Sequence, residues 1–404
     1  MKHSASISRL HIERIVRTWM RQLLPHIEMA SEIAEDAHWE QDLGLSTKEQ
    51  ILLSDYLQQM FHLLDRDISY FLPQYVFWGE WINVLMQAAC EPDLPMTFWS
   101  SPTSGIPSAC SHRKVALQQE VEFLQNLIRP TQRIVSLLPH NHLYGYVFGV
   151  LLPDSMNIEV LDAQNQSMIG LFTELREGDT LIAYPDWWTE LANAELALPK
   201  RCLGISATAP LAVNTALRLQ KQGFPMLEIY GSAESGGLGY RRLIEEPFEL
   251  FPYWRHSPHI RSQLHRMYPD RSVSPAVLPP EYLSWESTRH FRVNGRRDQA
   301  IDMDGYLIFP QQIAERIENL PQVQSCWIRK MKTEEGVGLK CWVIPRPQEE
   351  PSASLRTYLQ LWFEQYLSPQ DRPSHIVISD QSPFNEWDKV QDWGIQKYRP
   401  LAFS

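Results

Sequence analysis

Five short apolar runs, at residues 134–138, 158–161, 180–183, 202–205 and 226–229, punctuate the middle of this 404-residue chain. Each is too short for a helix, and stretches with helical spacing lie between them. Strands alternating with helices predict a layered α/β sheet over residues 95–286. Before it, Leu10, Ile12, Ile15, Val16, Trp19 and Leu23 recur at helical spacing, and a second stripe runs through Ile51, Leu52, Leu53, Tyr56, Leu57 and Phe61. Residues 1–94 are therefore expected to be helical. A proline-rich stretch at 272–282 predicts loose chain near a boundary. Residues 295–404 then form a smaller α/β unit, with strands at 326–329 and 338–345 and a helix at 353–366.

A chain that is 44% hydrophobic and 21% charged has the make-up of a globular protein with a large core. Its formal net charge of -11 argues against non-specific nucleic-acid binding, which needs a basic face. The five cysteines, Cys90, Cys110, Cys202, Cys326 and Cys341, have no paired spacing. Reduced thiols in a cytosolic protein are expected, rather than a disulfide or zinc framework. No run reaches membrane-spanning length.

Three phrases follow one another: Ser100-Ser101-Pro102-Thr103-Ser104-Gly105-Ile106-Pro107-Ser108, then Tyr230-Gly231-Ser232-Ala233-Glu234, then Gly295-Arg296-Arg297-Asp298. Hydroxyls and backbone N–H groups of the first can form an anion nest. Each phrase is weak alone. Together, at these separations, they resemble the adenylate-forming superfamily, which includes acyl-CoA and aryl-CoA ligases, peptide-synthetase adenylation domains and luciferase.

The resemblance covers residues 95–404 and implies an α/β fold: an adenylating core of layered α/β sheets (95–294), a small α/β C-terminal lid (295–404) and a short helical N-terminal region (1–94). It implies ATP, Mg2+ and a small-molecule carboxylic acid. The acid attacks the α-phosphate of ATP, pyrophosphate leaves, and the acyl-adenylate passes to a thiol, either CoA or the phosphopantetheine of an acyl carrier protein. Carried onto this chain, Ser100, Ser101, Thr103, Ser104 and Gly105 hold the phosphates. Ser206-Ala207-Thr208-Ala209-Pro210 packs against adenine, with Tyr230, Gly231 and Ser232 beside it, and Glu234 holds magnesium. Leu138-Pro139-His140-Asn141-His142-Leu143-Tyr144-Gly145 is similar to the family's acyl-pocket segment. Its His142 contacts the acid or gates the pocket, and Tyr144 and Gly145 line it. Glu281, counted back from Gly295, takes the ribose, Arg296 bonds the nucleotide, and Asp298 is the hinge about which the lid rotates. In Pro383-Phe384-Asn385-Glu386-Trp387-Asp388-Lys389-Val390, Lys389 is the cation that bridges the acid and the α-phosphate.

Several positions depart from the family pattern. Pro102 and Ser108 replace a glycine and the lysine of the phosphate loop, and His112, Arg113 and Lys114 are cations that could reach back to it. Ala207 and Thr208 replace glycines, Ala233 replaces a threonine, Asp302 a lysine and Asp388 a glycine. The leading expectation is an ATP-dependent ligase for an aryl or unsaturated acid, of the kind found in bacterial natural-product pathways. The alternative is a degenerate member that binds an acid, a nucleotide or a partner enzyme. The phrase Trp39-Glu40-Gln41-Asp42-Leu43-Gly44-Leu45-Ser46-Thr47 is similar to the turn of an acyl carrier protein, with Thr47 where the modified serine stands. A helical cap of carrier-like shape, or a plain helix-turn-helix, is the preferred expectation there.

Overall fold

The computed structural model describes residues 7–30, 32–65, 71–100, 108–194, 196, 199–258, 260, 262–297, 301–303, 306–333, 336–347, 353–381 and 383. The chain divides into two compact units, Met1–Pro279 with Trp285–Arg292, and Pro280–Ser284 with Val293–Ser404. The division falls at the end of the proline-rich stretch.

The first unit opens with helices α1 (Arg9–Leu23), α2 (Thr47–Phe61) and α3 (Trp78–Cys90). The stripe on α1 is buried through Ile12, Ile15, Val16, Trp19 and Met20. Ser46 caps α2: its hydroxyl accepts the Glu49 N–H while the Glu49 carboxylate accepts the Ser46 N–H, and Thr47 is the first helical residue. The carrier-like phrase thus supplies a helix cap. A hairpin of β1 (Met96–Trp99) and β2 (Ala109–His112) leads to α4 (Lys114–Ile128).

The large sheet is then laid down by β3 (Arg133–Ser136), β4 (Glu159–Asp162), β5 (Asp179–Ala183), β6 (Leu203–Ser206), β7 (Met226–Ser232), β8 (Gly236–Arg241) and β9 (Phe248–Leu250). A separate pair, β10 (Trp254–His256) and β11 (Leu264–Arg266), precedes β12 (Glu281–Trp285) and β13 (His290–Arg296). The order across the nine strands is β12-β13-β9-β8-β7-β6-β5-β3-β4. From β4 to β7 neighbouring strands are parallel, and from β7 through β8 and β9 to β13 they are antiparallel. Helices α5 (Leu143–Tyr146), α6 (Leu152–Met156), α7 (Met168–Glu174), α8 (Pro185–Ala194) and α9 (Val213–Lys221) fill the crossovers. Every residue of β3 and β5 is buried. Strands covered on both faces need continuous apolar runs, which is why these runs stand out in the sequence.

Arg133 and Asp179 break that apolar rule as a pair. They face each other across β3 and β5, with Nε to Oδ1 at 3.0 Å and Nη2 to Oδ2 at 2.7 Å. Helix α1 is tied to α6 and β4 by charge: Asp154 accepts the Ser8 N–H and pairs with His11 at 2.9 Å, and Arg14 donates to the Val160 carbonyl at 2.8 Å. Nearby, His140 is wholly buried, and burial pulls its imidazole down to about 4 against the opposing pull of Asp162.

The second unit holds a small hairpin of β14 (Ile301–Met303) and β15 (Tyr306–Ile308), then α10 (Pro310–Glu318) and a three-stranded sheet. In that sheet β16 (Val323–Thr333) pairs antiparallel with β17 (Gly336–Pro345), and β17 pairs parallel with β18 (His375–Ile378). Ile313, Ile317, Cys341 and Val343 pack with Leu359 and Phe363 of α11 (Ala353–Tyr366). All five cysteines of the chain are unpaired. Among the described residues no helix is long and apolar enough to cross a membrane.

Two outcomes follow. Asp179→Ala strands the Arg133 guanidinium in the core and should cost about 3–5 kcal/mol in urea unfolding; a cost below 1 kcal/mol would refute a paired, desolvated bridge. For His140 the folded value lies below the ordinary 6.5, so the unfolded chain takes up the proton more readily. Its stabilising effect is complete above about pH 6.5 and drains as pH falls toward 4. The acid limb of the urea midpoint should be shallower in His140→Gln, and an unchanged limb would assign it to other groups.

Candidate active site

At the end of β7 the chain leaves the parallel part of the sheet and doubles back as β8. The register slips between Tyr230 and Gly231, a bulge that re-aims the residues after it. Ser232 and Ser235 close the turn: the Ser235 Oγ accepts the Ser232 N–H at 3.2 Å, and the Ser232 Oγ accepts the Ser235 N–H at 3.3 Å. Gly231 has no room for a side chain, because a Cβ would lie 2.1 Å from the Tyr144 hydroxyl and 2.3 Å from the Gly236 carbonyl oxygen. Tyr230 is half-buried against Phe248 and Phe291, with ring centroids at 5.7 and 5.5 Å. Glu234 is exposed at the tip, with no ion pair or hydrogen bond to its carboxylate among the described residues.

The turn is braced from behind. The neutral imidazole of His112 donates from Nε2 to the Ala233 carbonyl at 2.6 Å, and burial keeps that ring below its ordinary value. Glu120 of α4, 1% exposed, accepts the Gly237 N–H at 3.0 and 3.1 Å on its two oxygens, while the Trp254 indole donates to the Gly237 carbonyl at 2.8 Å. Arg266, 3% exposed, stands 3.6 Å from Glu120 and over the Tyr253 ring at 4.1 Å. Burial pushes the Glu120 carboxyl up, and Arg266 and the Gly237 N–H pull it back.

Of the phosphate-loop residues, Ser100 lies at the hairpin base, where its N–H donates to the Ser108 carbonyl and its Oγ accepts the Ser108 N–H. Ser101, Thr103, Ser104 and Gly105 lie outside the described residues. The neighbouring basic residues have partners of their own. His112 holds Ala233, Lys114 donates to the carbonyls of Ala88 and Glu91 at the end of α3, and Arg113 stacks on Tyr268 at 4.5 Å beside Asp270. Burial brings the Lys114 ammonium down to about 8.

Ser206 ends β6, and its buried hydroxyl has no hydrogen-bond partner among the described residues. Ala207 is buried behind it, and Thr208 is exposed with φ at +80°. Glycine adopts that conformation freely, whereas for a β-branched residue it is a strained outlier. In the acyl-pocket segment, His142 is exposed at the start of α5, and Tyr144 is buried with its hydroxyl pressed on Gly231. Gly145 packs where a Cβ would lie 1.8 Å from the Pro139 carbonyl oxygen.

In the second unit Glu281 and Arg296 come together, with carboxylate and guanidinium 3.8 Å apart. Gly295 has φ at +116°, and Phe309 packs beside it. Asp298 and Lys389 lie outside the described residues.

The braces Glu120, Arg266 and Trp254 were not among the expected site residues. One signal for Glu120 was present: a charged residue on the same face of α4 as Leu117, Val121 and Leu124. Gly236-Gly237 after Glu234 was another, since adjacent glycines mark a close approach.

No group of three or more His, Cys, Asp or Glu among the described residues could hold a metal ion. One uncommitted carboxylate, Glu234, instead fits a hard cation that arrives on substrate phosphates and keeps its waters. The unsatisfied Ser206 hydroxyl and the flat ring of Tyr230 are groups that suit a nucleotide.

No family model matches the chain. It is 32% identical over 310 residues to a 4-coumarate–CoA ligase of Halorhodospira halophila, covering 76% of this chain and 78% of that one. A 4-coumarate–CoA ligase of Rhodobacter capsulatus is 27% identical over 390 residues, 93% of this chain and 96% of its own. Among solved structures, ATP-bound MatB from Rhodopseudomonas palustris superposes with a TM-score of 0.61 at 16% identity, over 76% of this chain and 71% of that one. MenE from Bacillus subtilis, in complex with ATP and magnesium, does so with 0.59 at 14% identity, over 73% and 68%. Fold and sequence agree, and the chain belongs to the adenylate-forming superfamily of acid–thiol ligases.

Proposed function

We propose that this ligase activates an aryl or unsaturated carboxylic acid, a hydroxycinnamate first among them, and passes the acyl group to CoA. ATP-dependent activation of an acid is the family's chemistry. The choice of acid and acceptor is supported by the relatives named 4-coumarate–CoA ligase. The observation that carries the site assignment is the turn after β7. There an aromatic ring and an uncommitted carboxylate stand four residues apart, joined through His112 to the hairpin of the phosphate loop. The alternative of an inactive binding protein finds no support among those relatives.

The difficulty of the reaction is charge, since a carboxylate must approach a polyanion. Tyr230 and the loop from Ser206 through Ala207 to Thr208 flank adenine, with Gly231 and Ser232 beside it. The hydroxyls of Ser100, Ser101, Thr103 and Ser104, with the Gly105 backbone, hold the phosphates. Glu234 is the protein's oxygen ligand to the cation, and when bound magnesium neutralises phosphate charge. Glu281 and Arg296 take the ribose and nucleotide. Lys389 supplies the positive charge for attack on the α-phosphate, and rotation about Asp298 then exposes the adenylate to the thiol. The acyl carbon gains the thiol sulfur as AMP departs. Tyr144, Gly145 and His142 shape the acid side. A phosphopantetheine thiol on a carrier protein is the competing acceptor.

ATP–pyrophosphate exchange with aryl, polyene and fatty acids tests this directly. Exchange is expected with hydroxycinnamates, followed by thioester formation with CoA. Glu234→Ala and Lys389→Ala should each lower exchange by roughly 10²–10³-fold, the loss typical of one transition-state electrostatic contact. No exchange with any acid would refute the reading, and full activity in both variants would refute the assigned roles.

A further inference from the structure

Glu120 sits behind the Tyr230–Glu234 phrase rather than in it, and four observations separate it from an ordinary core residue. Its carboxylate is 1% exposed, and both oxygens face one backbone N–H, that of Gly237, with Arg266 and the Tyr253 hydroxyl on its other sides. The opposite polar group of the same residue, the Gly237 carbonyl, is held by the Trp254 indole. Gly236 and Gly237 are shaped around the carboxylate, because a Cβ on either would lie 2.9 or 2.7 Å from a Glu120 oxygen. The counter-charge, Arg266, is itself bonded into the first turns of α4, to the Ala116 carbonyl and to the Gln119 side chain at 2.9 Å. Helix α4 begins two residues after His112, which holds Ala233.

We infer that Glu120, ion-paired with Arg266, is a positioning residue: it clamps Gly237 and so sets where the Glu234 carboxylate stands, without touching substrate or cation. The inference rests on the proposed role of Glu234 and extends it to a residue 114 positions earlier in the chain. A brace of this kind resembles the outer shell of a metal ligand, whose loss typically weakens metal affinity by 10–100-fold. Charge is used because a buried carboxylate accepts an N–H more strongly than a neutral group does. Arg266 is then required, since an unpaired buried charge is unstable.

The test uses the full-length enzyme and two paired variants, each of which neutralises both partners so that no lone charge is buried. Glu120→Met with Arg266→Met removes the acceptor of the Gly237 N–H. Glu120→Gln with Arg266→Met keeps a neutral acceptor. In hydrogen–deuterium exchange without ligand, the peptide covering 231–237 should lose protection in the Met/Met variant and regain most of it in the Gln/Met variant. The magnesium half-saturation of ATP binding, measured by calorimetry, and of pyrophosphate exchange should rise roughly 10-fold in Met/Met and recover in Gln/Met. The Michaelis constant for the acid should stay level. A folded Met/Met variant with unchanged magnesium dependence would overturn the inference while leaving the acid-activation reading intact. A wild-type chain that neither exchanges pyrophosphate nor binds ATP would overturn both. If Met/Met does not fold, a Gln/Met variant whose magnesium dependence matches that of Glu120→Ala with Arg266→Met would also overturn it.

Discussion

The reversal from β7 into β8 is the constraint on which the rest of the site depends. A strand that turns back on itself inside a covered sheet leaves backbone groups that water cannot reach, and each needs a partner. Here Gly237 finds both partners in side chains distant in sequence, Glu120 and Trp254. The approach is close: a Cβ at Gly236 would meet Glu120, and one at Gly237 would meet Phe251 and Glu120. Once those contacts are made, the Ser232–Ser235 bonds and the His112–Ala233 bond leave the turn little freedom. Glu234 then projects from a held backbone, which is what a ligand group must do if its geometry is to survive thermal motion.

A buried carboxylate is expensive to keep charged, and its surroundings show how the cost is met. Arg266 supplies the counter-charge, is itself desolvated, and lies over the Tyr253 ring. Its other donors go to α4, so the ion pair also joins β11 to the helix that follows the phosphate-loop hairpin. The same logic recurs at Arg133 and Asp179, where two charges inside a parallel sheet are tolerated because each oxygen meets a guanidinium N–H. Departures from the family pattern divide into different physical kinds. Thr208 keeps a glycine-like φ and stores strain in the loop after β6. Ser108 removes a cation, and the three basic residues at 112–114 are committed elsewhere: His112 to Ala233, Arg113 to Asp270 with Tyr268, and Lys114 to the end of α3.

Much was legible in the chain alone because it depends on short-range pattern. The run 180–183 is nearly continuous in apolar character, as a strand covered on both faces must be, and marks β5; 226–229 marks β7 although Glu228 interrupts it. The helix expected at 353–366 coincides with α11. The phrases around Tyr230 and Gly295 were visible because backbone turns demand particular residues at particular places, as the φ of +116° at Gly295 illustrates. Strand limits were less legible: β16 and β17 outrun the predicted 326–329 and 338–345, since pairing extends a strand through residues with no apolar signature.

Tertiary structure alone decided which distant residues meet. No local rule pairs Glu120 with Gly237, 117 positions away, or His112 with Ala233, 121 positions away. Nor could spacing say that Tyr144 would press on Gly231, or that Ser46 and Glu49 would close a reciprocal cap at the start of α2. Sequence by itself determined the α/β character and the order of the phrases, because these rest on periodicity and on residues a few positions apart; the chemistry class came from the resemblance those phrases carry to a known family. The brace behind Glu234 was decided only when the sheet closed, because hydrogen bonds and ion pairs form between surfaces brought together by packing and carry no signature in the order of the residues that make them.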